Sequence, residues 1–331
     1  MITVEWVDEA TDRELELVAQ LVNEFWREVI PEEPERPAAE LAAGIRDVPT
    51  HRTVSLAVAR EADEIIGAVE LVFEGYEGRA HDGWVRYLVV RADRRRRGVG
   101  RALVDAVIER SRAHDRRRLT HVVAANHAAG TAFARAVGAT PNLGDLQNRL
   151  RVAELDRDML EEWVARAAQR ATGYSIVAFD GVCPDELLEQ VARVTAVMND
   201  APKSEGTSDF QISAEQVREN MEAYARQGNV VWTVCVRDDT TGDLVGFTEL
   251  AIGPYRPALA NQGDTAVHPE HRERGLGRWM KAVNALRMLD ERPDVVAIDT
   301  WNADVNAAML SINQAMGFRP LTEWREWELT L

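Results

Sequence analysis

Two short arginine–glycine runs carry the clearest chemistry in this chain. Arg95-Arg96-Arg97-Gly98-Val99-Gly100 recurs as Arg272-Glu273-Arg274-Gly275-Leu276-Gly277, each after a strand-like stretch ending in valine, Val90 or Val267. Glycine permits a positive φ and lets a ligand approach the backbone closely. Free N–H groups at a helix start, aided by the helix dipole, cradle an anion. Arg272, Arg274 and Arg278 add charge-assisted donors, as do Arg95 and Arg97 in the first run. The anion implied is a pyrophosphate. A dinucleotide fold would want a third glycine where Leu103 and Met280 stand, and a P-loop would want Gly-Lys-Ser/Thr, which neither run has.

The runs anchor a longer repeat. Ile66-Gly67-Ala68-Val69-Glu70-Leu71 answers Val245-Gly246-Phe247-Thr248-Glu249-Leu250, and Gly138-Ala139 answers Gly317-Phe318, at offsets of 177 to 179 residues. A period of that length is a duplicated domain and not a solenoid. In the second copy, 174–180 alternates as a strand, while 183–199 and 213–226 have helical spacing. Stretches 230–237 and 244–252 read as a hairpin, and 265–267 ends another strand. Helices are expected at 276–290 and 303–316 around a strand at 295–301, with a last strand at 323–331. The first copy repeats this order, which places domains at 1–155 and 174–331 joined by a connecting helix at 156–173.

Composition narrows the setting. No apolar run approaches the ~18 residues that span a membrane, and the N-terminus has carboxylates where a secretory signal would be basic and then apolar. Two cysteines, Cys183 and Cys235, cannot build a disulfide framework, so a cytoplasmic setting is expected. The net charge of −16 opposes a nucleic-acid or anionic-membrane binder. Against that charge, residues 91–118 hold 11 arginines and four carboxylates, a basic island in need of an anion. Every cation except Lys203 and Lys281 is arginine, as GC-rich bacterial coding would give. His268 and His271 have H-x-x-H spacing without a following third ligand, so no metal is expected.

The stretch Val267-His268-Pro269-Glu270-His271-Arg272-Glu273-Arg274-Gly275-Leu276-Gly277 closely resembles the acyl-CoA-binding motif of the GNAT N-acetyltransferases, and 90–100 resembles it as well. In that family an Asn opens the next helix and Gly-Phe follows eleven residues later, as Asn306 and Gly317-Phe318 do here. The whole is similar to the tandem GNAT proteins of actinobacteria, the mycothiol synthase arrangement among them. The resemblance implies an α/β fold of two tandem domains. Each would be a mixed, mostly antiparallel sheet flanked by helices, with the fourth and fifth strands splayed around a pantetheine arm. Acetyl-CoA would be held by Val267, Arg272, Arg274, Gly275, Leu276, Gly277, Arg278, Asn306 and Asn313. The first copy would use Val90, Arg95, Arg97, Gly98, Val99 and Gly100.

The resemblance also implies direct attack of a primary amine on the thioester, the backbone N–H near Val267 polarising the acyl carbonyl. A strand carboxylate would serve as base, and the candidates are Glu249, answered by Glu70, and Asp264. The acceptor would be a small-molecule or peptide amine; no metal, nucleic acid or membrane takes part, and the chain would act as a monomer or homodimer. One departure matters. Many members place a tyrosine seven residues after the opening Asn as acid for the departing thiolate, but that position is Asn313, which cannot be an acid at neutral pH. In the first copy Asn126 precedes Gly138 by twelve residues and Ala134 stands at the acid position, so that copy is expected to bind cofactor only. The missing tyrosine keeps a second reading open, a non-catalytic acyl-CoA sensor. The loop 200–209 reads either as solvated or as a clamp for a cationic amine.

Overall fold

The repeat of residues is a repeat of elements. In this computed structural model the backbone of the whole chain is described, with every side chain but that of Ala168. The first half runs β1 (Ile2–Val7), α1 (Asp12–Val29), α2 (Ala38–Arg46), β2 (Arg52–Glu61), β3 (Glu64–Glu74), β4 (Asp82–Val90), α3 (Val99–Ala113), β5 (Arg118–Ala124), α4 (Ala128–Ala136) and β6 (Thr140–Arg151). After α5 (Arg157–Arg170) come β7 (Tyr174–Asp180), α6 (Leu188–Thr195), α7 (Ala214–Arg226), β8 (Val230–Asp238), β9 (Leu244–Ile252) and β10 (Leu259–Val267). The chain closes with α8 (Leu276–Glu291), β11 (Ala297–Ala303), α9 (Ala307–Met316) and β12 (Arg319–Thr330).

Local chemistry sets several boundaries. Thr11 with Glu14 and Ser213 with Gln216 form capping boxes that start α1 and α7. The helix expected over 183–199 begins later, at Leu188, because a residue preceding proline is driven from helical geometry and Pro184 follows Cys183. No helix among the described residues is long and apolar enough to cross a membrane.

The chain forms two compact units, and no single cut separates them. One comprises Met1–Asp145, Ser204–Asp209 and Thr322–Leu331; the other comprises Leu146–Lys203 and Phe210–Leu321. The repeat alone suggested a division at 156–173; the units instead exchange their closing strands. β12 pairs antiparallel with β5, from Trp324↔Ala124 to Thr330↔Arg118, and the end of β6 lies beside β11. Helix α5, expected as a connector, is a layer of the second unit, with Leu160, Ala167 and Ala171 buried and its length lying on α8. Strand order is β1-β2-β3-β4-β5-β12 in the first unit and β7-β8-β9-β10-β11-β6 in the second.

Both sheets open at the same rung. β10 and β11 run parallel through Leu259↔Ala297, Ala260↔Ile298 and Asn261↔Asp299, and then separate. β4 and β5 do the same after Asp82↔Arg118, Gly83↔Leu119 and Trp84↔Thr120. An unpaired carbonyl inside a protein needs a partner. Beyond the last rung, Thr300 Oγ1 donates to Gln262 O at 3.2 Å in the second unit. In the first, the equivalent His121 holds Val85 O at 2.6 Å through Nδ1, and burial lowers the imidazole pKa, so the ring is a neutral donor.

The exchanged strands carry opposite charges at equivalent positions. Arg149 of β6 forms a bidentate pair with buried Asp299 of β11, at 2.6 and 2.7 Å. Glu328 of β12, 179 residues on, lies opposite Thr120 and 3.6 Å from Arg118 of β5. Breaking a buried pair from one side leaves an uncompensated charge. Asp299→Asn should therefore destabilise the second unit by about 3–5 kcal/mol in a denaturant titration, whereas a change below 1 kcal/mol would deny the pair its structural role.

Candidate active site

Each arginine–glycine loop is strapped to the strand that precedes it. Arg272 Nε donates to Val267 O at 2.8 Å, and Arg95 Nε donates to Val90 O at 3.0 Å. The heads of both are then engaged by carboxylates, Arg272 by Asp200 at 3.1 Å and Arg95 by Glu28 at 2.7 Å. These two arginines thus shape the loop rather than offer free charge to a ligand. Asp200, the first residue of the 200–209 loop, is thereby taken up in an ion pair; Ser204–Asp209 groups with the first unit.

Within the loops, left-handed residues recur two apart: Arg96 at φ 63° and Gly98 at φ 86°, then Glu273 at φ 66° and Gly275 at φ 80°. Such alternation turns successive N–H groups into one concavity, an anion nest. Gly275 is also the N-cap of α8, whose first-turn N–H groups at Leu276, Gly277 and Arg278 lack intrahelical acceptors. A β-carbon on Gly98 or Gly275 would meet nothing within 4 Å, so the space before both nests is open. Arg274 is braced at the rim by the Tyr174 hydroxyl, at 2.5 Å, and by Glu270 O, at 3.3 Å. Arg278 lies over the Trp163 ring at 5.3 Å. In the first unit Val99 is buried behind the nest, and Arg97 is exposed with no partner among the described residues. His268, Glu270 and His271 bring ligand-type atoms within 4.8 Å of one another, although His271 Nδ1 is already joined to the Tyr174 hydroxyl at 2.8 Å.

The strand before each nest presents its last N–H to the opening. His268 N donates to Val245 O at 2.8 Å. N–H direction alternates along an antiparallel strand, so the Val267 N–H points to the other edge, from which β11 has departed. Arg91 N donating to Ile66 O, at 2.9 Å, turns Val90 the same way.

Glu249 faces this edge across a bulge. Leu250 pairs with Gln262 and Thr248 with Thr265, so Gly263 and Asp264 together oppose Glu249. The bulge is held by the Gln262 side chain, whose Nε2 donates to Glu249 O at 2.7 Å and to Thr248 Oγ1 at 3.0 Å. The Glu249 carboxylate has no hydrogen-bond partner among the described residues, and its side chain keeps partial access to solvent. Burial pushes it up to about 7, assisted by the neighbouring Asp264 charge. Asp264 is itself raised by the protein atoms crowding it, but its side chain stands exposed, where water hydrates and screens the charge. Of the two, only Glu249 is both part-buried and held near neutrality.

The first unit has the same strand geometry and closes it. Its bulge places Arg86 and Tyr87 against Glu70. Arg86 Nη1 lies 2.6 Å from Glu70 Oε1 and the Tyr87 hydroxyl donates to Oε2, while Glu70 is only 1% exposed. Arg86 and Tyr87 stand 177 residues before Gly263 and Asp264. A buried carboxylate engaged by an arginine and a hydroxyl, with almost no solvent access, is closed off from a proton-carrying ligand.

Asn306 caps α9 by accepting from Met309 N at 3.2 Å, so its first role is to start that helix. Asn126 does not cap α4; its Nδ2 donates to Val29 O at 3.0 Å. Asn313 is buried and accepts at 3.0 Å from Lys281, a fully buried lysine that the sequence reading passed over. One signal could have found it: lysine is rare in this chain, and unlike arginine it can shed its proton when buried.

Comparison with known proteins bears on this geometry directly. The model of the acetyltransferase (GNAT) family matches residues 15–139. A tandem GNAT protein from the clavulanic acid biosynthesis pathway superposes with a TM-score of 0.78 at 27% identity, covering 99% of this chain and 98% of its own. Residues 15–139 thus match the GNAT family, and the whole chain has the fold of a tandem GNAT protein. A GCN5-related N-acetyltransferase from Sphaerobacter thermophilus shares the fold, with a TM-score of 0.68 at 12% identity over 99% of this chain and 95% of its own. Among curated proteins no match is found. The family match and this likeness make the protein an acyltransferase of the GNAT type.

A carboxyl held above its unfolded value near 4.5 costs the folded state nothing below that pH and progressively more as pH rises to about 7, where the folded group ionises. Glu249→Gln should therefore match wild-type stability in acid and exceed it by at least about 1 kcal/mol above neutrality. Parallel denaturation curves at all pH values would show that Glu249 is not held in this state.

Proposed function

We propose that the second unit transfers an acetyl group from acetyl-CoA to the primary amine of a small molecule or peptide, by direct attack on the thioester. One observation carries the reading: Glu249 is unpartnered beside the open sheet edge, while its counterpart Glu70 is sealed by Arg86 and Tyr87. The pyrophosphate rests on the nest at 273–278, with Arg274 and Arg278 at its rim, and the pantetheine arm enters between β10 and β11. The Val267 N–H donates to the acyl oxygen as negative charge develops there. Glu249 takes the proton of the attacking amine, directly or through one water, and the C–S bond breaks as the amide forms. The first unit keeps the nest and serves as a cofactor-binding scaffold. The setting is a reducing bacterial cytoplasm, in keeping with two buried, unpaired thiols, and the active form is a monomer or homodimer. Thiol release from acetyl-CoA with a panel of amines separates this reading from a non-catalytic acyl-CoA sensor.

Aspartate and asparagine tolerate positive φ about equally, so Gly275→Asp and Gly275→Asn bear the same backbone cost and differ in charge. The Asp variant should bind CoA at least tenfold more weakly than the Asn variant, about 1.4 kcal/mol, by calorimetry. Gly98→Asp should leave turnover largely intact; if it abolishes turnover and Gly275→Asp does not, the active half is the other one.

Glu249→Gln should lower kcat/KM by about 10²-fold or more near neutral pH, with CoA affinity unchanged. Wild-type activity should rise with pH through about 7, as the base loses its proton, and the variant should lack that rise. Its deficit should shrink at high pH, where the amine arrives already deprotonated. A deficit independent of pH would assign Glu249 to holding the acceptor instead.

A further inference from the structure

Lys281 is fully buried on α8, and no carboxylate meets it. Its Nζ donates to Asn313 Oδ1 at 3.0 Å, and Asn313 Nδ2 donates in turn to Asn302 Oδ1 at 2.7 Å. Asn302 is part-exposed on the stretch of β11 beyond the last rung shared with β10, and its Nδ2 has no partner among the described residues. The line thus runs from a buried cation, through two aligned amides, to a vacant donor where the sheet opens.

The other copy shows what packing alone would choose. The equivalent residues of the first unit are Val104, Val123 and Ala134, all buried and apolar. Burying a lysine against a neutral amide costs folding energy, and here burial lowers its pKa to about 7. Three contacting positions that are apolar in one copy and polar in the other point to use, not to packing.

We propose that Lys281, Asn313 and Asn302 form a hydrogen-bonded relay that stabilises the thiolate leaving the acyl donor in the second unit. This rests on the acetyl-CoA reading above. As the C–S bond breaks its electron pair passes to sulfur, and the amine proton passes to Glu249. While protonated, Lys281 polarises the two amides in series and strengthens the Asn302 N–H as a donor to sulfur, an effect that weakens as pH rises through about 7. The thiolate is protonated afterwards by water. Asn302 is the relay's catalytic end, and Lys281 and Asn313 are positioning residues behind it.

The test needs no knowledge of the acceptor. CoA bound to the full chain is titrated by the pH dependence of its alkylation by iodoacetamide. The protein's own thiols, Cys183 and Cys235, are buried and pushed up to about 11 and about 12, so they stay silent near neutrality. Bound CoA should hold about tenfold more thiolate at neutral pH than free CoA, and Lys281→Met should abolish that excess. Lys281→Met should also be at least as stable as wild type, which a merely structural lysine would not allow. Asn302→Leu, a change at the part-exposed end that leaves the core intact, should abolish the excess as well. Equal thiolate in wild type and both folded, CoA-bound variants would overturn the relay while leaving the acetyl-CoA reading in place. Failure of the wild-type second unit to bind CoA would instead sink that reading and the relay with it.

Discussion

A parallel strand pair that stops after three rungs is the constraint on which the site depends. Opening a sheet inside a protein strands hydrogen-bonding groups on both edges, and each must be paired or put to use. The first stranded carbonyl is paired, by Thr300 in one unit and His121 in the other. The N–H of Val267 has no strand partner on the open side. Once the edge is open, the nest can stand at its end, strapped back by Arg272 onto the carbonyl of the same valine. Helix α8 packs close behind: a β-carbon on Gly246 of β9 would come within 3.2 Å of Met280 Cε and 3.0 Å of Ala266 O. The glycine shared by both copies at this point of the sheet is thus a matter of clearance.

The same scaffold was kept twice and loaded differently. In the first unit the strand carboxylate Glu70 is engaged by Arg86 and Tyr87. In the second, Gly263 stands where Arg86 would be, and a β-carbon there would lie 3.6 Å from Glu249 Oε2. Gly263 in place of Arg86 and Asp264 in place of Tyr87 together unpair the carboxylate and open it to solvent. A carboxylate surrounded by protein atoms without a counter-ion is destabilising, and that instability is what brings its pKa near neutrality. Stability and reactivity are opposed at this residue, and the two copies have settled the conflict in opposite ways.

Much of this was legible in the sequence because it depends on local spacing. The nests follow from glycines at fixed offsets, β7 and β9 from alternation, and α7 from helical spacing over 213–226. Glu249 could be singled out because it shares a strand face with Val245 and Phe247, an odd place for a solvated group. What escaped depends on residues far apart in the chain. Arg272 reads as a ligand cation until Asp200, 72 residues earlier, is seen beside it. Lys281 reads as one solvated position on a helix until Asn313 closes over it. Asn313 was singled out by its spacing from Asn306, but its hydrogen-bond partners lie on α8 and β11, and no periodicity within α9 announces them.

The strand exchange was invisible for a related reason. By pattern β6 and β12 are equivalent closing strands, and either could pair with β5 or β11, since both have the length and alternation of an edge. The choice is made by charge at one position. Had β12 paired within its own copy, Glu328 would face Asp299; had β6 done so, Arg149 would lie beside Arg118. Like charges held together in a sheet interior are costly, whereas the exchanged pairing gives each residue an opposite partner. A duplicated gene begins with identical closing strands, and opposite charges on those strands are what make the exchanged arrangement the specific one. The consequence reaches beyond packing. The first unit's sheet has β5 as a bare edge until the last ten residues of the chain arrive to cover it. The half that bears no free base is therefore completed only by the chain end that follows the half that does.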